Sequence, residues 1–396
     1  MSVVMFCYSV GLEKLQKWSK GIVATGLCLF GTLFMFALQA QTADSKATVE
    51  TRNLLKNLRL LAGKKVIFGH QDDLAYGVTW KYEHGRSDIK DVTGEYPALF
   101  GWDIAGLEND SPVNIDSIPF TKMKEFIRSV YDMGAVNTIS WHLDNPVNGK
   151  TAWDTTSSSI PQILPGGQKN GIFNRWLDKV AAFMNSLKGS DGKSIPILFR
   201  PFHELTGSWF WWGKNESTPE GFKQLWCYTV NYLKVKKNVH NLIYVYNTAG
   251  FSTSGEFLER YPGDGYADIL SFDAYQYGNL AGGEAFVKEV REKLKIVNAV
   301  ASTHKKLIAF AETGYEAVPD PLWWTNVLWR AIENFPVSYV MVWRNAGYIP
   351  SAKNYHYYAP YKGHLSAPDF IRFYKMDKVM FEKDIRDQKI YTQPGR

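Results

Sequence analysis

The sequence predicts a (β/α)8 barrel, and three observations point to it. Eight short apolar runs recur between residues 65 and 345, separated by amphipathic segments. Most of those runs end in a polar or acidic residue at the C-terminal side, where a barrel gathers its strand ends on one face. No glycine-rich phosphate turn follows the first run, where FGHQDDLAYG stands, so an open doubly wound sheet fits less well.

The runs, in order, are KVIFGHQ (65–71), ALFGWDI (98–104), VNTISWH (136–142), IPILFRPFHE (195–204), LIYVYNT (242–248), ADILSFDAY (267–275), KLIAFAETG (306–314) and SYVMVWRN (338–345). Each has strand length, and most are rich in Val, Ile, Phe and Tyr. Near-continuous apolar character suits parallel strands buried on both faces. Between them, FTKMKEFIRSVYDMG, FNRWLDKVAAFMNSLKG, PEGFKQLWCYTVNYLKVK, GEAFVKEVREKLKIVNAVAST and PLWWTNVLWRAIENF carry apolar residues three and four apart with charges between. Those segments are expected to be helices. No internal repeat, low-complexity tract or linker marks a second domain.

The N-terminus is expected to be a signal peptide over residues 1–40, followed by a single barrel domain over 41–396. Lys14, Lys17 and Lys20 precede the apolar run IVATGLCLFGTLFMFAL (22–38), and the small Ala40 leads into polar sequence. That is the order of an export signal. The competing reading is a retained anchor, since the run approaches the roughly 20 residues of a spanning helix. Export with cleavage near Ala40 is favoured, which places the mature protein in the periplasm or outside the cell.

The formal charge is +6, of which the leader carries +2 through its three lysines and Glu13, leaving +4. Without a basic cluster this does not indicate a nucleic-acid partner. Of the cysteines Cys7, Cys28 and Cys227, only Cys227 survives cleavage, so no intrachain disulfide is expected. A monomer is expected.

The chemistry concentrates at the strand ends, where His70, Asp103, His142, Glu204, Asp273, Tyr275, Glu312 and Arg344 fall. A glutamate at one strand end is more often a salt-bridge partner than a catalyst. Two of them on the fourth and seventh strands, facing each other across a barrel mouth, form the pair that glycoside hydrolysis needs. The stretch RPFHELTGSWFWWG (200–213) sets one of them beside a run of aromatics. Trp102, Trp141, Trp209, Trp212, Tyr275 and Trp343 are expected to offer flat platforms for sugar rings. Other chemistries fit worse. His203-Glu204 lacks the second histidine of HExxH, because Gly207 stands there. No GxSxG elbow occurs. His70, Asp72 and Asp73 read as substrate-binding or helix-capping groups, and no metal is expected.

RPFHELTGSWFWWG resembles the acid/base segment of glycoside hydrolase family 26, the β-mannanases. FAETG (310–314) is similar to that family's nucleophile segment, and GWD (101–103), WH (141–142), SFDAY (271–275) and VWRN (342–345) follow in the family's order. The resemblance spans essentially the whole chain after the leader. It implies a (β/α)8 barrel and retaining hydrolysis of β-1,4-mannosides in mannan, glucomannan or galactomannan, without a cofactor. Carried over, it implies Glu204 as acid/base and Glu312 as nucleophile, with Tyr275 touching Glu312 and Trp209 stacking near the scissile bond. It also implies that His142, Trp343 and Arg344 shape the glycone side. His203 either binds the sugar or orients Glu204, and Trp211 either touches substrate or packs beneath the rim. Two alternatives stay open: a mixed-linkage β-glucanase or xylanase on the same barrel, and a non-catalytic carbohydrate-binding protein. The insertion at 145–170 leaves open whether cutting is internal or releases short units such as mannobiose from a chain end.

Overall fold

In the computed structural model, which describes residues 42–350 and 353–394, the eight apolar runs form a closed parallel barrel. Its strands are β1 (Val66–Gln71), β2 (Leu99–Asp103), β3 (Val136–Trp141), β4 (Ile197–Pro201), β5 (Leu242–Thr248), β6 (Ile269–Gln276), β7 (Leu307–Tyr315) and β8 (Val337–Val342). Each pairs in parallel with the next, and β8 returns to β1 with Ile67 opposite Tyr339 and His70 opposite Val342. Closure removes both sheet edges, and nearly every strand residue is buried. The leader expected over residues 1–40 lies outside the described residues.

Crossover helices return the chain between strands. The helix Phe120–Asp132 buries Phe120, Met123, Ile127, Val130 and Tyr131 on one face. Burying each such side chain contributes roughly 1.5–3 kcal/mol, which holds the helix on the barrel. Thr218 begins the helix Pro219–Asn231 by accepting the Gly221 N–H, and Pro219 stands at the first turn where its missing donor costs nothing. PLWWTNVLWRAIENF departs from the expected α-helix. Trp324–Trp329 winds as a wider π-helix before Arg330–Ile332, at a point where the adjacent Trp323 and Trp324 are both fully buried.

Two elements close the end of the barrel away from the polar strand ends. The helix Val49–Leu61 is tied to the carbonyls of His240, before β5, and Lys305, before β7. The short strand Val379–Met380 pairs with Val66 and Ile67, below the point where β2 joins at Gly69. The opposite rim is left to the loops that carry chemistry.

Candidate active site

Two local departures from regular backbone aim the paired glutamates. On β7, Phe310 lies opposite Phe272, yet Glu312 lies opposite Asp273, so Ala311 is one extra residue against β6. In a regular strand residues 310 and 312 would share a face. The bulge separates them. Phe310 stacks on Phe272 toward the helix layer, where Lys293 lies over the Phe272 ring, and Glu312 turns inward beside Asp273. At β4, the chain leaves the barrel with Phe202 and Glu204 both at φ 53°, a left-handed conformation for residues that are not glycine. Such positions cost on the order of 1–3 kcal/mol each and cluster where function needs them.

Glu312 is buried and held by two donors. The Arg200 guanidinium pairs with its Oε1, and the Tyr275 hydroxyl donates to its Oε2 at 2.9 Å. Arg200 also donates to Asp273 Oδ2 at 3.2 Å. Glu204 accepts the Trp209 indole N–H on Oε2 at 2.7 Å. Carboxylate oxygens of Glu204, Asp273 and Glu312 lie within 4.8 Å of one another. This is the one carboxylate cluster among the described residues with metal-like spacing. Arg200 lies between Asp273 and Glu312 and pairs with both. Burial, and then the nearby Glu312 charge, push the Glu204 carboxyl up to about 7. A glutamate kept protonated near neutrality beside a second glutamate is equipped to donate a proton while its neighbour attacks.

A histidine pair flanks the carboxylates. His142 Nδ1 lies 2.8 Å from Asp103 Oδ2, and its Nε2 lies 3.1 Å from His203 Nε2. Burial alone would lower the His142 pKa, but the carboxylates of Asp103, Glu312 and Asp116 together raise it. Burial, followed by the charge of His142, drives His203 well below the ordinary histidine value. An imidazolium at His142 therefore donates to Asp103 on one side and to a neutral His203 on the other. Arg344 pairs with Asp116 and approaches the Tyr76 hydroxyl at 3.4 Å. They line a cavity of about 500 Å³ with Trp80 and Tyr348. Trp343 is half-buried, and its backbone N–H donates to Thr313 O, next to Glu312. His70, Asp72 and Asp73 turn to partners nearby: His70 bonds Asp73 at 2.6 Å, and Tyr76 donates to Asp72 at 2.5 Å.

The aromatic expectation needs correction. Trp102, Trp141 and Trp212 are fully buried and offer no face to a sugar. Each has its indole N–H satisfied inside, by Asn137, Glu108 and the His203 carbonyl in turn. Trp211 is likewise packed beneath the rim, bonded to Leu143 O. Of the run 209–212 only Trp209 opens to solvent, at 41%. Sequence reasoning passed over Trp153, which is 49% exposed and stacked on His142 at 5.3 Å. It also passed over Asp116, and over Asn247, whose Oδ1 accepts the Glu204 N–H at 2.9 Å. Asn247 had a signal, since it stands at the end of a predicted strand like the other polar residues.

A (β/α)8 barrel with two glutamates this close at its mouth, beside exposed tryptophans, has the build of a glycoside hydrolase. The model of Glycosyl hydrolase family 26 matches residues 43–361, and the chain belongs to that family. A mannan endo-1,4-beta-mannosidase of Bifidobacterium adolescentis is 33% identical over 91% of this chain, which spans 39% of that relative's length. One from Thermothelomyces thermophilus is 29% identical over 75% of this chain and 56% of its own. Among solved structures, a GH26 beta-mannanase from Bacteroides ovatus is 40% identical, with a TM-score of 0.83 over 88% of this chain and 99% of that one. The catalytic domain of a Bacillus sp. JAMB-750 GH26 endo-beta-1,4-mannanase is 31% identical, with a TM-score of 0.80 over 89% of this chain and 96% of that one.

Proposed function

We propose that the protein is an exported, retaining endo-β-1,4-mannanase acting on mannan, glucomannan or galactomannan, with Glu204 as acid/base and Glu312 as nucleophile. The observation that carries the reading is the spacing of their carboxylate oxygens, within 4.8 Å. Retaining glycosidases hold the two carboxyl groups about 5–5.5 Å apart, whereas inverting enzymes need about 6.5–9.5 Å to fit a water.

The reaction runs in two halves. A Glu312 carboxylate oxygen attacks the anomeric carbon as Glu204 gives its proton to the departing glycosidic oxygen. The sugar is then an ester of Glu312, and Glu204 is a carboxylate. Esterification removes the negative charge that helped raise Glu204, so the carboxylate form becomes easier to hold. Glu204 next takes a proton from water as the water oxygen bonds to the anomeric carbon and Glu312 leaves. Tyr275 and Arg200 hold the nucleophile in line, and Trp209 offers a ring face beside Glu204. His142, Trp343 and Arg344 bind the glycone side, and His203, buried behind His142, supports it. The residues acting in this scheme supply the acid, base, nucleophile and positioning donors without a cofactor.

Export rests on the charge order and apolar run of residues 1–40, with cleavage near Ala40. A match to a protein named Endoglucanase H, 26% identical over 50% of this chain, makes a β-glucan the informative competing substrate. The test is release of reducing ends from linear β-1,4-mannan, mixed-linkage β-glucan and xylan by the wild type and by Glu312→Ala. Mannan hydrolysis that exceeds the other two and disappears in the variant is expected. A preference for β-glucan or xylan, or undiminished activity in Glu312→Ala, would overturn the assignment.

A further inference from the structure

We infer that Asn247, a buried side chain at the end of β5, sets the position of Glu204 and so acts as a positioning residue for proton donation. The inference rests on the reading of Glu204 as acid/base. Glu204 and Phe202 both adopt a left-handed backbone without being glycine. Such a turn keeps its shape only when its surroundings over-determine it.

The end of β5 supplies that determination. Asn247 Oδ1 accepts the Glu204 N–H at 2.9 Å, and its backbone carbonyl accepts the Leu205 N–H at 3.4 Å. Two residues on, the Ala249 N–H donates to Thr206 Oγ1 at 2.9 Å. The segment that carries Glu204 is thereby stitched to β5 at three points.

The Asn247 amide itself cannot turn over. Its Nδ2 donates to Ser271 Oγ at 2.9 Å and to Asp273 Oδ1 at 2.8 Å. A flipped amide would set its oxygen against the Asp273 carboxylate and its NH2 against the Glu204 N–H. Asp273 in turn accepts from Arg200, and Arg200 pairs with Glu312. A continuous buried chain therefore runs from the Glu204 N–H through Asn247, Asp273 and Arg200 to Glu312. It fixes the spacing of the two glutamates from beneath.

The experiment separates reactions by their need for a proton. In Asn247→Ala, kcat/KM on linear β-mannan should fall on the order of 10²-fold, the usual cost of misplacing a reacting group by about 1 Å. On 2,4-dinitrophenyl β-mannobioside, whose leaving group departs unprotonated, kcat/KM should fall by less than about threefold. Asn247→Asp gives a second reading. Once protonated, the new carboxyl offers a carbonyl oxygen to Glu204 and an O–H to Asp273, so its kcat/KM on mannan relative to wild type should rise as pH falls. Equal losses on both substrates with no acid recovery would mark Asn247 as merely structural and overturn the inference. Unchanged mannan activity in Asn247→Ala would do the same. Glu204→Ala is the control: if it too lacks the leaving-group split, the acid/base reading falls and takes the inference with it. If only Asn247→Ala lacks the split, the inference falls alone.

Discussion

Replacing Glu312 with glutamine should lower the pKa of Glu204. Two unit charges 4.8 Å apart interact by about 3.5 kcal/mol at an effective dielectric of 20, so a carboxylate at the Glu312 position is close enough to matter. Glu204 rises from an ordinary 4.5 to about 7. That rise corresponds to about 3 kcal/mol of preference for the protonated form. Burial is the larger cause and Glu312 the second, so removing the Glu312 charge takes away part of the rise and leaves the part owed to burial. In Glu312→Gln the Glu204 pKa should therefore fall below the wild-type value of about 7. The assay is carbon NMR of side-chain carboxyls in isotope-labelled protein, titrated between pH 4 and 9. Glu204 is assigned by comparison with Glu204→Gln/Glu312→Gln. In the active wild type, kcat/KM on mannan should fall as pH rises through about 7, because deprotonated Glu204 has no proton to give. A Glu204 value that stays near 7 or climbs in Glu312→Gln would refute the electrostatic coupling. A wild-type profile flat through pH 8 would refute the proton-donor role.

Trp209→Ala and Arg344→Ala should each cost on the order of 1–3 kcal/mol in transition-state binding, read as kcat/KM on mannan, with the fold intact by circular dichroism. Trp212→Ala, by contrast, removes a buried ring stacked on Phe210 at 4.4 Å and should cost about 3–5 kcal/mol of stability, read by denaturant unfolding. Asp103→Asn removes the charge that raises His142, so the His142 pKa should drop in a proton NMR titration. Because that pKa is raised in the folded state, the His142–Asp103 contribution to stability is full below the ordinary value of 6.5. It fades as pH climbs through the raised value, so the stability gap between wild type and Asp103→Asn should narrow over the same interval. Mass spectrometry of protein recovered from outside the cytoplasm of its source cells should show an N-terminus near Gln41; an intact first forty residues would contradict export with cleavage.

The eight strands could be read because each is a strand-length apolar run, and the fold needs little more than their count and their polar ends. The helices followed from three-and-four spacing, except where Tyr232–Lys236 and Trp324–Trp329 wind as wider π-helices. Within the site, Glu204 and Glu312 were legible as acids at strand ends. What aims them was not. Ala311 is an ordinary apolar residue in an apolar run, and only the pairing of β7 with β6 reveals it as a bulge. The left-handed turn at Phe202 and Glu204 carries no glycine to announce it. The tryptophans misled for a related reason. Residues 209–212 follow neither a helical nor a strand period, so nothing in their order separates exposed Trp209 from buried Trp211 and Trp212. Trp153 escaped notice because it lies in the insertion after β3, where no strand or helix period shows which way a side chain faces.

The stereochemical course of hydrolysis tests the paired-glutamate account most directly. Proton NMR of manno-oligosaccharide hydrolysis, recorded before mutarotation, reports the anomer released first. Two displacements through a Glu312 ester leave the configuration unchanged, so the account predicts that the β-anomer appears first and the α-anomer grows in only with mutarotation. An α-anomer as the first product would mean one displacement by water, and would contradict the account.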